Sequence, residues 1–255
     1  MTSAASVPPH LTFTSGSGQS IDYLALNDGR DALIVLMSNA LVVGREDRRF
    51  PAFHRWSWAK EWPNCTVLAI ADPGLRRRPI LDGAWYLDAE HDTIRGVAEL
   101  AQAEAEKRGI PAQNLLFYGS SLGGFGALAA ASAARGRALA EVPQIDVTKW
   151  FPGAIEKIET WVLRQPIADF RTSFGEQVDV WDRFLFEKHI PPFTILTNET
   201  DRSFSDQLEL LGLVREHSLY RETQADLVIS ARTEGHRVQS KEIIVRMVAE
   251  EVARF

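Results

Sequence analysis

The sequence predicts an α/β protein whose mostly parallel sheet is covered by helices on both faces. Short apolar runs of strand length alternate with longer segments in which apolar residues recur at helical spacing. Several runs are apolar throughout, which is typical of strands buried on both faces. A Gly-Ser-Ser-Leu-Gly motif at residues 119–123 joins one of these runs to a helix of small residues. With 255 residues, 45% of them hydrophobic, the chain is long enough for one domain with a full core.

Eight segments are predicted as strands. The first two are short β-prone runs separated by glycine and serine, which indicates an opening hairpin. The next two are continuous apolar runs, and the second of these ends at the turn signal Asp72-Pro73-Gly74. The predicted strands span residues 11–14, 21–26, 32–37, 66–71, 115–118, 138–142, 193–197 and 226–231.

Helices are predicted between the strands from apolar positions at helical spacing. They span residues 91–108, 124–134, 206–217 and 243–252. The stretch 147–192 interrupts the alternation because it is rich in Trp and Phe and has helical spacing but no strand signal. We therefore predict a core formed by residues 1–146 and 193–255, with residues 147–192 as a helical insertion.

Composition excludes several classes of function. The chain has a net charge of −6 and lacks the basic stripe that a nucleic-acid binder needs. The single cysteine, Cys65, allows no internal disulfide and no pair of thiolate metal ligands, so no metal or other cofactor is predicted. The first ten residues lack the basic and apolar segments of a secretory signal, and no apolar run has the length of a membrane span. We expect a cytoplasmic protein, and its oligomeric state stays open.

Ser121, at the centre of the motif, is the candidate nucleophile. A sharp turn from strand to helix would hold it in a strained backbone conformation, with its hydroxyl clear of the sheet. Gly119 and Gly123 lack Cβ atoms, so neighbouring backbone can approach this turn closely. The helix that follows would direct its free N–H groups toward negative charge that forms beside Ser121.

His236 is the candidate general base. A serine hydroxyl is a poor nucleophile unless an adjacent base accepts its proton, and histidine titrates near working pH. His236 follows the last predicted strand, lies beside Gly235, and precedes the last helix. His217 lies on a predicted helix and His189 precedes a Pro-Pro pair, while the other three histidines come before the serine.

A carboxylate is expected to fix the tautomer of the imidazole and to stabilise its charged form. Asp201 follows the predicted strand 193–197 and is the first choice. Glu199 in the same loop and Asp146 after the preceding strand are the alternatives.

An oxyanion hole needs two N–H donors directed at the oxygen that becomes charged. The backbone N–H of Leu122, the residue after the nucleophile, is one candidate donor. The second is expected from the loop after strand 32–37, where Asn39 and Ala40 are equal candidates.

At these residues the chain resembles the α/β-hydrolase superfamily. The resemblance rests on GSSLG at Ser121 and on the order Ser121, Asp201, His236, each preceded by a strand, and it extends from about residue 20 to the end. It implies an eight-stranded, mostly parallel sheet and a helical cap over the site, which residues 147–192 would form. It does not identify a subfamily.

Together these observations predict a serine hydrolase that cleaves an ester or thioester through an acyl-enzyme. Acyl transfer to an alcohol is a close variant, and a non-catalytic binding protein of the same fold is the alternative from another class. Trp85 and Tyr86 follow a loop with three arginines, 76–78, and would suit a sugar ring or an anionic group. The other interpretation of this segment is a surface loop anchored by one tryptophan. The expected partner is thus a small-molecule or glycan-linked acyl substrate.

Overall fold

The computed structural model describes residues 8–41, 50–76, 81–219, 223–231 and 233–255. Eight strands in these ranges form one sheet, and their bounds lie within two residues of those predicted from the sequence. The strands are β1 (Leu11–Thr14), β2 (Ser20–Leu26), β3 (Leu33–Met37), β4 (Thr66–Ile70), β5 (Leu115–Ser120), β6 (Arg137–Glu141), β7 (Phe193–Thr197) and β8 (Ala225–Ile229).

The sheet has the order β1-β2-β4-β3-β5-β6-β7-β8. β2 pairs antiparallel with β1 and β4, and every other neighbouring pair is parallel. The motif strand β5 therefore lies in the middle of the parallel part. Because parallel strands end at the same edge of a sheet, the loops after β3, β5, β6, β7 and β8 gather there.

Helices cover both faces of the sheet. They are α1 (Thr93–Arg108), α2 (Leu122–Ala134), α3 (Pro152–Ile158), α4 (Ile167–Val178), α5 (Val180–Glu187), α6 (Phe204–Glu216) and α7 (Lys241–Val252). Short 3-10 turns span Trp56–Glu61, Pro73–Leu75, Ala112–Asn114 and Val147–Lys149, and a π-helical turn spans Glu159–Leu163. None of the helices in the described ranges has the length and apolar character needed to cross a bilayer.

The core has two layers, one on each face of the sheet. α1 and α2 contribute to the larger apolar cluster, and α7 packs with the turn at 56–61 in the smaller one. Nearly every residue of α2 is buried, including its glycines and alanines. Small side chains bring this helix close to β5, β6 and α1, so its N-terminus is held firmly beside the motif.

The segment between β6 and β7 is helical wherever it has regular structure. Arg183 on α5 connects it to the core: the guanidinium is fully buried and donates to both carboxylate oxygens of Asp92, at 2.8 and 2.9 Å. Asp92 also caps α1 by accepting the N–H of Arg95 at 3.1 Å. A buried, bidentate charge pair therefore holds the helical segment against the first helix of the core.

Candidate active site

Ser121 occupies the turn between β5 and α2 with φ 55° and ψ −124°. This left-handed region is disfavoured for a residue with a side chain, so surrounding contacts must hold it. The N–H of Ser121 donates to the carbonyl oxygen of Glu141 on β6 at 2.9 Å. Its own carbonyl accepts the N–H groups of Gly124 and Phe125 in the first turn of α2. The strained turn is thus fixed from both sides.

The two motif glycines are required by close approach of the backbone. A Cβ at Gly119 would lie 2.0 Å from the carbonyl oxygen of Gly123. A Cβ at Gly123 would lie 2.8 Å from the carbonyl oxygen of Ser38 at the end of β3. Neither position has room for a side chain, which accounts for the glycines on either side of the nucleophile.

Ser121, His236 and Asp201 form a continuous hydrogen-bonded chain. The Nε2 atom of His236 lies 2.7 Å from Ser121 Oγ, and its Nδ1 atom lies 2.7 Å from Asp201 Oδ2. The Asp201 side chain is completely buried, and its other oxygen accepts the N–H of Ser203 at 2.8 Å. This geometry directs Nδ1–H toward the carboxylate and leaves Nε2 free to accept the serine proton.

The loops that carry Asp201 and His236 are hydrogen-bonded to each other. The N–H of Gly235 donates to Thr200 Oγ1 at 2.7 Å, and its carbonyl accepts from Asn198 Nδ2 at 2.9 Å. Asn198 Oδ1 in turn accepts the hydroxyl of Thr200 at 2.8 Å. These bonds position His236 and Asp201 as one unit.

The other two candidate acids lie elsewhere. Glu199 is exposed in the same loop, and it makes no hydrogen bond to His236 in the described structure. Asp146 is buried beyond β6, where it accepts from Arg171 at 2.7 Å and from the N–H of Thr148 at 2.9 Å. Only Asp201, of the three candidates, contacts the imidazole.

Two of the three candidate oxyanion residues, Leu122 and Ala40, lie near Gly83. The N–H of Leu122 opens α2 and has no acceptor among the described residues. A Cβ at Gly83 would lie 2.4 Å from the side chain of Leu122 and 3.8 Å from the Cα of Ala40. The side-chain amide of Asn39 instead donates to Ser120 Oγ at 3.2 Å. Ala40 and Leu122 thus lie close together beside Ser121.

No protein-family model and no curated protein matches this sequence. Solved structures match over nearly the whole chain. The capsule O-acetyltransferase of Neisseria meningitidis serogroup A has a TM-score of 0.69 at 13% identity, with 98% of this chain and 97% of that chain covered. The S-formylglutathione hydrolase FrmB of Staphylococcus aureus has a TM-score of 0.61 at 12% identity, covering 96% and 98%. A fungal esterase from Rhizomucor miehei has a TM-score of 0.62 at 12% identity, covering 96% and 84%.

This chain has the α/β-hydrolase fold. The strand order, the parallel pairing and these structural matches confirm the fold predicted from the sequence. At identities of 12 to 13%, the matches establish the fold and leave the chemistry to be argued from the site itself.

Gln144 is a member of the site that sequence reasoning missed. Its Nε2 atom lies 2.9 Å from Ser121 Oγ and 3.3 Å from His236 Nε2, and the side chain is buried. It follows β6 at the same sheet edge as the triad. Its position after a predicted strand is the one sequence signal that points to Gln144. A glutamine side chain does not titrate, so it is not a candidate acid or base.

Trp85 and Tyr86, the predicted substrate platform, are both buried. The indole Nε1–H of Trp85 donates to Gln144 Oε1 at 3.1 Å, and the hydroxyl of Tyr86 donates to the carbonyl oxygen of Ser38 at 2.9 Å. Burial raises the pKa of the Tyr86 hydroxyl well above its usual value. Of the three arginines beside them, Arg76 pairs with Asp22 at 2.6 Å, and residues 77 and 78 lie outside the described ranges.

A groove of about 330 Å³ opens beside Ala40 and Leu41. Its walls are mostly apolar, and they include Ala40, Leu41, Leu81, Trp85, Trp150 and Phe151. The ring of Trp150 lies 5.0 Å from the imidazole of His236. The exposed guanidinium of Arg202 lies over the rings of Phe151, at 3.6 Å, and Trp150, at 4.8 Å. Trp150, which lines the groove, therefore brings it close to His236.

A buried polar network lies beside Ser120, at the end of β5. Glu141, at the end of β6, accepts from Tyr118 Oη at 3.0 Å and pairs with Arg55 Nη2 at 3.5 Å. It also accepts the N–H of Gln239, three residues after His236. Arg55 donates to Ser120 Oγ at 3.0 Å. Burial raises the pKa of the Glu141 carboxyl.

Within the described part of the chain, no group of three or more His, Cys, Asp or Glu side chains is arranged to hold a metal ion.

Proposed function

We propose that this protein is a serine hydrolase that cleaves a carboxylic ester or thioester through an acyl-enzyme on Ser121. The observation that carries the proposal is the chain of two 2.7 Å contacts from Ser121 Oγ through His236 to the buried Asp201. The free N–H of Leu122 beside the nucleophile adds a donor for the developing oxyanion.

In the acylation half-reaction, Ser121 Oγ attacks the substrate carbonyl carbon while His236 Nε2 accepts the hydroxyl proton. The carbonyl oxygen becomes an oxyanion that accepts from Leu122 N–H and from a backbone N–H of the Asn39–Ala40 segment. Asp201 accepts Nδ1–H and stabilises the imidazolium. The carbon–oxygen or carbon–sulfur bond to the leaving group then breaks, and the leaving atom takes the proton from Nε2.

In the deacylation half-reaction, water attacks the acyl carbon while His236 Nε2 accepts one of its protons. The second tetrahedral intermediate uses the same oxyanion donors. The bond from carbon to Ser121 Oγ breaks, Oγ takes the proton from Nε2, and the carboxylic acid is released.

The acyl group is proposed to bind in the groove beside Ala40 and Trp85. Its volume of about 330 Å³ lies at the low end for small-molecule sites, which favours a small acyl group. The leaving group would then lie toward Trp150, Phe151 and Arg202, where aromatic rings and a guanidinium suit a sugar or an anionic group.

Acyl transfer to an alcohol is the second candidate, because the same acyl-enzyme can pass its acyl group to a hydroxyl in place of water. The capsule O-acetyltransferase that shares this fold over almost its full length favours this variant. A non-catalytic binding protein is disfavoured because all three triad positions hold residues in bonding contact.

The test is labelling with a fluorophosphonate, followed by peptide mass spectrometry. We expect one adduct on Ser121 in the wild type and none in Ser121→Ala. A folded wild-type protein that forms no adduct would refute the proposal. p-Nitrophenyl esters from acetyl to octanoyl, acetylated sugars and a thioester, each with and without an acceptor alcohol, then separate hydrolysis from transfer.

A further inference from the structure

We propose that Gln144 is a further catalytic residue whose side-chain N–H stabilises Ser121 Oγ whenever this oxygen carries negative charge. The inference rests on the proposed function of Ser121. Gln144 Nε2 lies 2.9 Å from Ser121 Oγ, and the side chain has an exposed fraction of only 1%. It contacts the reacting atom itself.

The orientation of the Gln144 amide follows from its other neighbour. An indole N–H only donates hydrogen bonds, so the atom of Gln144 that faces Trp85 Nε1 at 3.1 Å must be the carbonyl oxygen. The amide nitrogen therefore faces Ser121 and His236. The opposite orientation would place two donors against each other at the indole.

The hydroxyl of Ser121 can serve both neighbours at once. Its O–H donates to His236 Nε2 at 2.7 Å, and an oxygen lone pair accepts the N–H of Gln144 at 2.9 Å. Where proton transfer to His236 runs ahead of bond formation, Oγ is partly negative and keeps the Gln144 donor. As the bond to the carbonyl carbon forms, the electron pair is shared with carbon and the negative charge passes to the carbonyl oxygen. The Gln144 bond is therefore strongest in the part of the step where proton transfer leads, and it lowers the barrier there.

The same argument applies to deacylation, where Ser121 Oγ is the leaving oxygen. In the acyl-enzyme this oxygen belongs to an ester and is a weak acceptor. As the carbon–oxygen bond breaks, the electron pair returns to Oγ, which receives the proton of His236 Nε2 and a stronger bond from Gln144. We therefore expect Gln144 to accelerate both half-reactions.

Trp85 is a positioning residue that acts through Gln144. Trp85 and Tyr86 both have positive φ, 53° and 57°, which is disfavoured for aromatic residues. The buried carboxylate of Asp72 accepts the N–H of Ala84 at 2.9 Å and so fixes the start of this turn. This turn places the indole N–H of Trp85 against Gln144 Oε1 at 3.1 Å. We therefore assign the strained backbone a role in orienting the Gln144 amide.

The decisive experiment compares Gln144→Met, which keeps the length but removes the donor, with Gln102→Met on α1 as the matched control. The rate of fluorophosphonate labelling measures nucleophilic attack by Ser121 Oγ, here on phosphorus with loss of fluoride, and ester turnover measures the whole acylation and deacylation cycle. We expect Gln144→Met to lose about 10- to 100-fold in both, because it removes one donor at a charged oxygen. The control should stay at the wild-type rate.

Two further variants keep the test valid if Gln144→Met folds poorly. Trp85→Phe keeps an aromatic ring but removes the N–H, and we expect about a 3- to 10-fold loss of turnover in this variant alone. Where Gln144→Met folds, the two losses should not add. In the wild type, the amide nitrogen of Gln144 lies 3.3 Å from His236 Nε2. Gln144→Glu places a carboxylate there. Because a negative charge favours the protonated imidazole, the acid limb of the kcat/KM profile should move to higher pH.

Wild-type rates in Gln144→Met, additive losses with Trp85→Phe, or an unchanged acid limb in Gln144→Glu would each overturn the role of Gln144. Labelling of the wild type separates the two proposals. An adduct on Ser121 together with unaffected Gln144 variants refutes only this inference, whereas a missing wild-type adduct refutes the proposed function and this inference with it.

Discussion

Arg183 and Arg55 are both largely buried arginines that pair with carboxylates. Arg183 lies in the helical segment between β6 and β7, whereas Arg55 lies beside the strand ends that carry the candidate site. Arg183 is fully buried and bonds both oxygens of Asp92, at 2.8 and 2.9 Å. Arg55 donates to Ser120 Oγ at 3.0 Å, retains 12% exposure of its side chain, and approaches Glu141 only to 3.5 Å. The first pair satisfies its charges with short, parallel hydrogen bonds, and the second does not.

The difference indicates two uses of buried charge. The Arg183 pair holds the helical segment between β6 and β7 against α1, and its removal leaves the partly buried Asp92 with Arg95 at 3.9 Å. Glu141 shares its oxygens among Tyr118, Arg55 and the N–H of Gln239, and thereby connects the serine turn to the loop of the base. We expect the insertion pair to determine stability and the site network to determine the geometry of the catalytic residues.

The largest expected effect is on the chemistry. His236→Ala removes the base at 2.7 Å from Ser121 and should lower turnover about 10⁴-fold, with the free energy of unfolding little changed. Ester turnover and urea denaturation measure the two quantities. His217→Ala, at the end of α6, is the control and should retain full activity. Equal losses in both variants would disprove a specific role for His236.

Asp201→Asn should lower turnover about 10³- to 10⁴-fold, because an amide no longer fixes the imidazole tautomer. Steady-state kinetics with the same esters measures the loss. Turnover near the wild-type value would transfer the role of the acid to Glu199 or Asp146, and the matching asparagine or glutamine variant of each would then identify it.

Arg183→Met should lower the free energy of unfolding by about 2–3 kcal/mol, because it removes the two short bonds to Asp92 and leaves this carboxylate with Arg95 at 3.9 Å, while Glu187 keeps Arg95 at 2.9 Å. Arg246→Met removes an exposed pair on α7 and should cost less than about 0.5 kcal/mol. Urea denaturation compares the two variants. A loss below about 1 kcal/mol in Arg183→Met would show that the insertion does not depend on this pair.

Glu141→Gln should cost less stability than Arg183→Met, about 1–2 kcal/mol, since the amide can still accept one of the hydrogen bonds. Turnover should fall about tenfold because the loop of His236 loses its fixed distance from the serine turn. Denaturation and kinetics on the same sample measure both effects. If Glu141→Gln destabilises as much as Arg183→Met and retains full turnover, the contrast between the two networks is wrong.

The smallest effect concerns Asp179, the N-cap of α5 in the insertion. Burial raises the pKa of its carboxyl from 3.8 to about 6. Between about pH 4 and pH 6, the folded protein therefore keeps this proton while the unfolded chain has released it. The free energy of unfolding consequently falls as pH rises through this range. The free energy of unfolding of Asp179→Asn, relative to that of the wild type, should therefore rise by on the order of 1 kcal/mol between about pH 4 and pH 6. Thermal unfolding at several pH values measures the difference, and a constant difference would contradict it.

Strands and the candidate triad were accessible from the sequence because each has a local signature. Continuous apolar runs such as that of β3 can hardly be anything but buried strands, and Ser121, Asp201 and His236 each follow a strand of the parallel sheet. Parallel topology alone brings the ends of these strands to one edge.

The supporting residues could not be found in this way, because their contacts depend on register and on side-chain direction. Glu141 meets the serine turn because it pairs with Ser120 across β5 and β6, a register that no local pattern reveals. Arg55 and Gln144 reach the site from loops, where periodicity gives no information. The burial of Trp85 depends on a turn with positive φ at Trp85 and Tyr86. Because aromatic residues rarely adopt positive φ, the sequence does not predict this turn.

The cross-links between Gly235 and the segment holding Asn198 and Thr200 have a practical consequence for engineering. Grafting a foreign loop after β7 would sever these ties and release the histidine from its partner, even if an aspartate were retained at the correct place. The two loops must therefore be exchanged together, as a single cassette, if the site is to survive redesign.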